Sequence, residues 1–424
     1  MDVTKISLFI VDSSIEISQF EQQLKDPFIH IITCDYSYHK KLNEMNLKHS
    51  NLDDFLNSAE RLELYKFSLT LLDWFKQISY HKKFEIDGIN ILSFMGPLEF
   101  HEFIMEELIR FFSIKNLIAH FNPKEITTSK LISKFTACFF PESSTKIIEN
   151  IVNTKKKGFL TDQIELRFNI FSKPVTLYVS KYWYSKLKTV YENIFCSIHN
   201  LYFTDYQKDV VLLLEFNTSL YKELIRSINN SGKTVVLLNR RRSAIWNKDS
   251  INFLKQNYGK IINLNRFFDD YSKKQFKLKK ILFQTIFKEL WSDEKLLEIF
   301  SKDKDTFWPV IRHTLQDIYG NRLDEYLKFH FVSKNILKTL QIKSILCLNE
   351  SGETENIMLQ NNNNKIQTFL LQHGFLRYDK KIYDLQWLYE DQFMFGLKSH
   401  NFLRRNITLC PSHCIFLTIM IEFF

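Results

Sequence analysis

The chain has 424 residues, 45% of them hydrophobic and 25% charged. That balance excludes a disordered chain, and the length exceeds one ordinary core, so two or three domains are expected. Its 57 basic and 48 acidic residues leave a net charge of +9, which suits an anionic partner such as a phosphorylated substrate, a nucleotide, nucleic acid or an acidic membrane face.

Ile6–Val11 and Phe28–Thr33 read as strands, separated by Ser13–Lys25, whose Ile15, Ile17, Phe20 and Leu24 mark a helical face. Leu52–Ile78 then reads as one long helix, with Ser50 or Asn51 as its cap. Ile89–Phe94 reads as a strand and Leu98–Ile118 as a helix, while Val175–Val179 suits a strand and Tyr184–His199 a helix. The clearest series starts at Asp209. Strands are expected at Val210–Phe216, Thr234–Asn239 and Lys260–Leu264, and helices at Ser219–Asn229 and Ile251–Tyr258, which Gly232 and Gly259 follow. The stretch Arg266–Leu340 is helical by its periodicity. Ser344–Leu348 and Ile366–Leu371 resume the strand rhythm, on either side of a short helix at Ile357–Gln360.

Strands alternating with helices at this spacing predict an α/β protein with doubly wound, mostly parallel sheets. The expected divisions are an N-terminal α/β region over 1–141 and a connecting α/β segment over 142–204. A Rossmann-like domain follows over 205–385, with a helical insertion at 266–340. No run reaches the roughly 18 apolar residues of a spanning helix. The N-terminus lacks the marks of a secretory signal, and the six cysteines form no CxxC pair. These features point to a cytoplasmic location, with room for a peripheral contact at a membrane.

Glycine is scarce, at 9 residues, so each one marks a position where little else fits. Glu350-Ser351-Gly352 and Gln372-His373-Gly374 end successive strands. In one sheet such strands point the same way, so Glu350 and His373 can share a rim, with His373 as general base and Glu350 orienting it. Two unrelated loops are the alternative. Arg240-Arg241-Arg242 ends another strand of the same rhythm, and the planar guanidinium suits carboxylate or phosphate, which makes Arg241 and Arg242 candidate anion binders. A solvated loop is the alternative. Common nucleotide, hydrolase and zinc signatures are absent, so no metal and no cofactor are expected. Asp303-Lys304-Asp305 falls between helices rather than at a strand end and reads as chance.

The strand-ended Leu371-Gln372-His373-Gly374, with Asp391-Gln-Phe-Met-Phe-Gly396 through Leu403, resembles the QHG step and following segment of one enzyme group. This is the GT-B-fold group of CDP-glycerol glycerophosphotransferases and capsular or surface-polysaccharide transferases. The resemblance covers 344–405 and, more loosely, 205–264. It implies transfer of a sugar or polyol phosphate from a nucleotide-activated donor to an acceptor hydroxyl on a glycan or lipid-linked acceptor, with no nucleic-acid partner. His373 would then be base or phosphate contact, with Gln372 and Gly374 against substrate. The nucleotide-binding half expected after this unit does not follow. From Asn406 the sequence is largely apolar and lacks any carboxylate, lysine or arginine apart from Glu422, so 386–424 reads as the start of a truncated C-terminal lobe. Two rival readings are a basic nucleic-acid-binding protein and a non-catalytic GT-B-like interaction protein.

Overall fold

Two aliphatic runs, Ser7–Val11 and Val210–Leu214, each seed a five-stranded sheet. The computed structural model describes residues 6–148, 163–170, 173–204, 209–348, 352–362 and 365–371. It divides into two units. The first comprises Met1–Ser79, Glu99–Thr161 and Trp291–Ile318, and the second Tyr80–Leu98, Asp162–Leu290 and Tyr319–Phe424.

In the first unit the strands are Ser7–Val11, Ile29–Thr33, His49–Asn51, Glu125–Ser129 and Thr145–Ile148. In the second they are Val210–Leu214, Thr234–Leu238, Lys260–Ile261, Ile342–Cys347 and Gln367–Leu370. Both sheets have one order: third, second, first, fourth, fifth strand of the set. Every pairing within them is parallel. The order reverses between the first and fourth strands, the arrangement of a doubly wound sheet. All five residues of the Val210 strand are buried, as a central parallel strand requires. Val211, Leu213, Val235 and Leu237 face Leu224, Ile225 and Ile228 of the Lys222–Asn230 helix and Leu254 of the Lys248–Gln256 helix. Each such side chain contributes about 1.5–3 kcal/mol on burial.

The alternating series from Asp209 therefore folds as expected, with shorter elements. Gly232 turns the chain at φ +80° after the Lys222 helix. Gly259 is needed for a different reason: a Cβ there would lie 2.6 Å from Leu254 Cδ2. The third strand stops at Ile261, because a 3₁₀ turn over Leu264–Phe267 begins almost at once.

Other expectations are corrected. Leu52–Ile78 is not one helix. A 3₁₀ turn spans Leu52–Phe55, and Asn57 caps a new helix, Ser58–Thr70, by a reciprocal box with Glu60. A second 3₁₀ stretch, Leu71–Lys76, bends at Asp73. Ile89–Phe94 is a strand only over Ile89–Asn90. Ile89–Asn90 closes a hairpin with Glu85–Ile86 through Asp87 and Gly88, both at positive φ, and Asn90 then caps a 3₁₀ turn over Ile91–Phe94. Strands at Glu125–Ser129, Thr145–Ile148 and Gln163–Ile170 had no counterpart in the sequence reading. The first of these is rich in threonine, so apolar content did not reveal it.

The stretch 266–340 contains helices Asp270–Leu290, Lys295–Ile299 and Trp308–Thr339, with a small hairpin, Ser301–Lys302 against Asp305–Thr306. Asp303 occupies the hairpin turn at φ +59°, which accounts for the Asp-x-Asp. Among the described residues, no helix is long and apolar enough to cross a membrane.

Candidate functional site

The second sheet reverses its order between the Val210 and Ile342 strands, and the carboxyl ends of those strands are where an open α/β sheet binds ligands. Glu215 follows the first of them directly, in the left-handed region at φ +59°. Its side chain gathers the neighbouring strand's loop. Glu215 Oε1 accepts from the backbone N–H of Arg240 at 2.8 Å and of Arg241 at 2.9 Å, and from Thr354 Oγ1 at 2.7 Å. Oε2 accepts from Arg242 N–H at 3.4 Å. Lys188 secures the loop from the other side, donating to the carbonyls of Asn239 at 2.6 Å and Arg240 at 3.0 Å.

The helix Glu353–Asn362 enters this rim after the Ile342–Cys347 strand. Glu353 is buried and accepts from Arg322 Nη1 and Tyr326 Oη, both at 2.6 Å, and from Arg240 Nη2 at 3.1 Å. Burial alone would raise its carboxyl, but the two guanidiniums and the Tyr326 hydroxyl prevail and bring it down to about 2. Arg240 also reaches Glu325 at 3.3 Å and lies over the Phe329 ring at 5.2 Å. The result is a buried ion-pair network with fixed geometry.

Glu355, two residues on, behaves in the opposite way. It is 1% exposed. Burial and the nearby Glu215 carboxylate push it up to about 7, and Arg241 offsets this only in part. Arg241 Nη2 lies 3.7 Å from Glu355 Oε2, an ion-pair distance beyond hydrogen-bond reach. Glu355 Oε2, Arg240 Nη1 and Asn239 Oδ1 are all buried without a hydrogen-bond partner. An acidic oxygen, a cationic N–H and a neutral acceptor are thus left unsatisfied around one strand-end loop, a costly arrangement in a merely structural setting. Gly352 makes the approach possible. A Cβ there would lie 2.7 Å from Arg241 Nη2 and closer still to Glu355 Oε2.

Of the residues singled out in the sequence, Arg241 and Arg242 belong to this rim. Arg241 is half-exposed beside Glu355, and Arg242 is exposed and held by its backbone. Glu350, Gln372, His373 and Gly374 lie outside the described residues, as do 391–403 and 406–424. The strands before the two motifs are adjacent and parallel, with Cys347 the register partner of Leu370. Sequence reasoning missed Glu353, Glu355 and Glu215, and placed Arg240 at this strand end without giving it a role of its own. A glycine-initiated helix carrying Glu-x-Glu in its first turn, Gly352-Glu353-Thr354-Glu355, was the available signal. Among the described residues, no group of three or more His, Cys, Asp or Glu could hold a metal ion.

No protein-family model matches the chain, and no curated protein matches it. A search of solved structures finds tyrosyl-tRNA synthetase of Leishmania major in complex with tyrosinol, at 9% identity over 88% of this chain and 76% of that one. The TM-score of 0.21 is too low to carry an argument about fold or activity.

Proposed function

We propose that the chain is a transferase of surface-glycan or teichoic-acid-type biosynthesis with the GT-B plan of two Rossmann-type units. It moves a sugar or polyol phosphate from a nucleotide-activated donor to an acceptor hydroxyl. The observation that supports this best is Glu355, a carboxyl brought to about 7 at the switch point of a parallel sheet, with Oε2 lacking a hydrogen bond and Arg241 at ion-pair distance from it.

Such a transfer needs two things from the protein. The acceptor O–H must lose its proton as its oxygen bonds to the anomeric carbon or phosphorus, and the departing nucleotide must keep the electrons of the broken bond as an anion. A carboxyl near neutrality takes up and returns a proton with little driving force lost either way, so Glu355 is the proton acceptor. Arg241, half-exposed and spending one nitrogen on Glu355, keeps further N–H groups for donor phosphate oxygens. His373, through the QHG resemblance, contacts phosphate, and Glu350 orients it.

The test is transfer of a labelled group from a panel of CDP-polyol and UDP- or GDP-sugar donors to glycan and lipid-linked hydroxyl acceptors. Glu355→Gln is expected to lower turnover by about 10²–10⁴-fold with donor KM little changed. No transfer from any donor by the folded protein, or full turnover in Glu355→Gln, overturns the reading.

A further inference from the structure

The helix Lys181–Ile198 has two apolar faces, and only one of them is used within its unit. Tyr184, Lys188 and Cys196 are buried, and Tyr191 and Phe195 pack against the core under the second sheet. Outward, Trp183, Leu187, Val190, Ile194 and Ile198 form a stripe at steps of four, three, four and four residues, exposed by 60%, 62%, 57%, 49% and 69%. Tyr182, also exposed, widens the stripe at its start, and Leu177 on the preceding strand, Lys173–Ser180, is exposed as well. The helix is 18 residues long, or about 27 Å. A solvated helix turns polar side chains outward, so a continuous outward stripe of large apolar ones marks a contact surface.

We propose that this outer face docks on an anionic lipid bilayer. Charge selects the occupant. The helix has one carboxylate, Glu192, and it is turned inward, paired with Lys188 at 3.4 Å and accepting from Ser243 Oγ at 2.8 Å. The charge exposed on the outer face is Lys186. A second copy packed helix to helix would offer Lys186 no carboxylate from the same element, while anionic headgroups supply the counter-charge. The aromatic residues agree. Tyr182 and Trp183 sit together at one end, where amphipathic rings favour the headgroup level, and Lys186 Nζ lies 4.4 Å above the Tyr182 ring. A helix face of this kind lies in the plane of the interface with its apolar stripe below the headgroups. The proposal stands independently of the transferase reading.

Co-sedimentation of the full chain with phosphatidylcholine vesicles, with and without phosphatidylglycerol, tests it. Binding is expected with phosphatidylglycerol present and should weaken with salt. The double variant Leu187→Glu, Ile194→Glu should bind at least about tenfold more weakly, with circular dichroism and urea unfolding unchanged, and Lys186→Ala should lose about fivefold. The proposal is overturned if the native chain ignores both vesicles or if the double variant binds as well as the native chain. It is equally overturned if the native chain is a dimer that the double variant dissolves without any vesicle binding, since a second copy then covers the face.

Discussion

The two sheets share one strand order, yet their switch points hold different chemistry. In the first sheet Asp12 follows the Ser7–Val11 strand and Ser129 ends the Glu125 strand. Asp12 Oδ2 accepts from Ser129 Oγ at 2.6 Å, and Oδ1 from Ser14 N–H at 2.9 Å and Ser14 Oγ at 2.5 Å. The carboxylate is satisfied by neutral donors, and neither oxygen is left over. In the second sheet Glu215, Glu353 and Glu355 meet Arg240, Arg241 and Arg322 at the equivalent place, and buried atoms of both charges, Glu355 Oε2 and Arg240 Nη1, remain without a hydrogen bond. Equal topology supplies the location, and the residues arriving there decide whether it is a closed joint or a reactive one.

The largest expected contrast comes from deleting a charge. Glu353→Ala leaves Arg240 and Arg322 facing each other's charge in a buried site, and loss of one partner of such a network costs about 3–5 kcal/mol. Urea unfolding measures it. A loss under about 1 kcal/mol would mean that water reaches the guanidiniums and that the second rim is as forgiving as the first.

Titration separates the two glutamates next. Glu355 is raised in the folded state to about 7 from an ordinary 4.5, so the folded protein holds a proton that the unfolded chain has already released. Its contribution is complete below 4.5 and is lost as pH rises to about 7, roughly 3 kcal/mol in all. Glu353 has the opposite sign. Its folded value near 2 makes its contribution complete above 4.5 and lost as pH falls toward 2. Stability measured against pH should therefore fall on both sides of the region near 4.5. Glu355→Gln should flatten the upper limb alone, and an unchanged upper limb would sink the assignment.

Gly352→Ala is a smaller perturbation. The added methyl must push aside Arg241 or Glu355, at a cost of about 1–3 kcal/mol. Because it separates the pair, it should also shift the upper titration limb, whereas an equivalent loss with no change in that limb would mean that Arg241 does not act on Glu355. Smallest of all is Ser129→Ala in the first sheet. It removes one hydrogen bond to Asp12, which keeps two others, and the cap that Ser129 Oγ gives Ile132 N–H at 3.3 Å, for about 1–2 kcal/mol, and chemical denaturation across pH should show no new titration.

Much of the frame was legible along the chain. The Val210–Leu214 and Thr234–Leu238 runs and the Lys222 and Lys248 helices follow from apolar periodicity and turn residues, which act over a few neighbours. Strands carried by Thr127, Thr128 and Ser129 were not legible, because their burial is imposed by neighbouring strands rather than by their own hydrophobicity.

For the site, the sequence by itself brought three arginines to one strand end and left a scarce glycine before a Glu-x-Glu helix. Only the tertiary structure decided that Arg240 turns inward to Glu353 while Arg241 stays half-exposed beside Glu355. It also decided that two glutamates two positions apart shift in opposite directions. The physical reason is range. Secondary structure follows from interactions between near neighbours, whereas the charge state of a buried carboxyl depends on which segments arrive around it, here Glu215, Arg240 and Arg322 from more than 30 positions away.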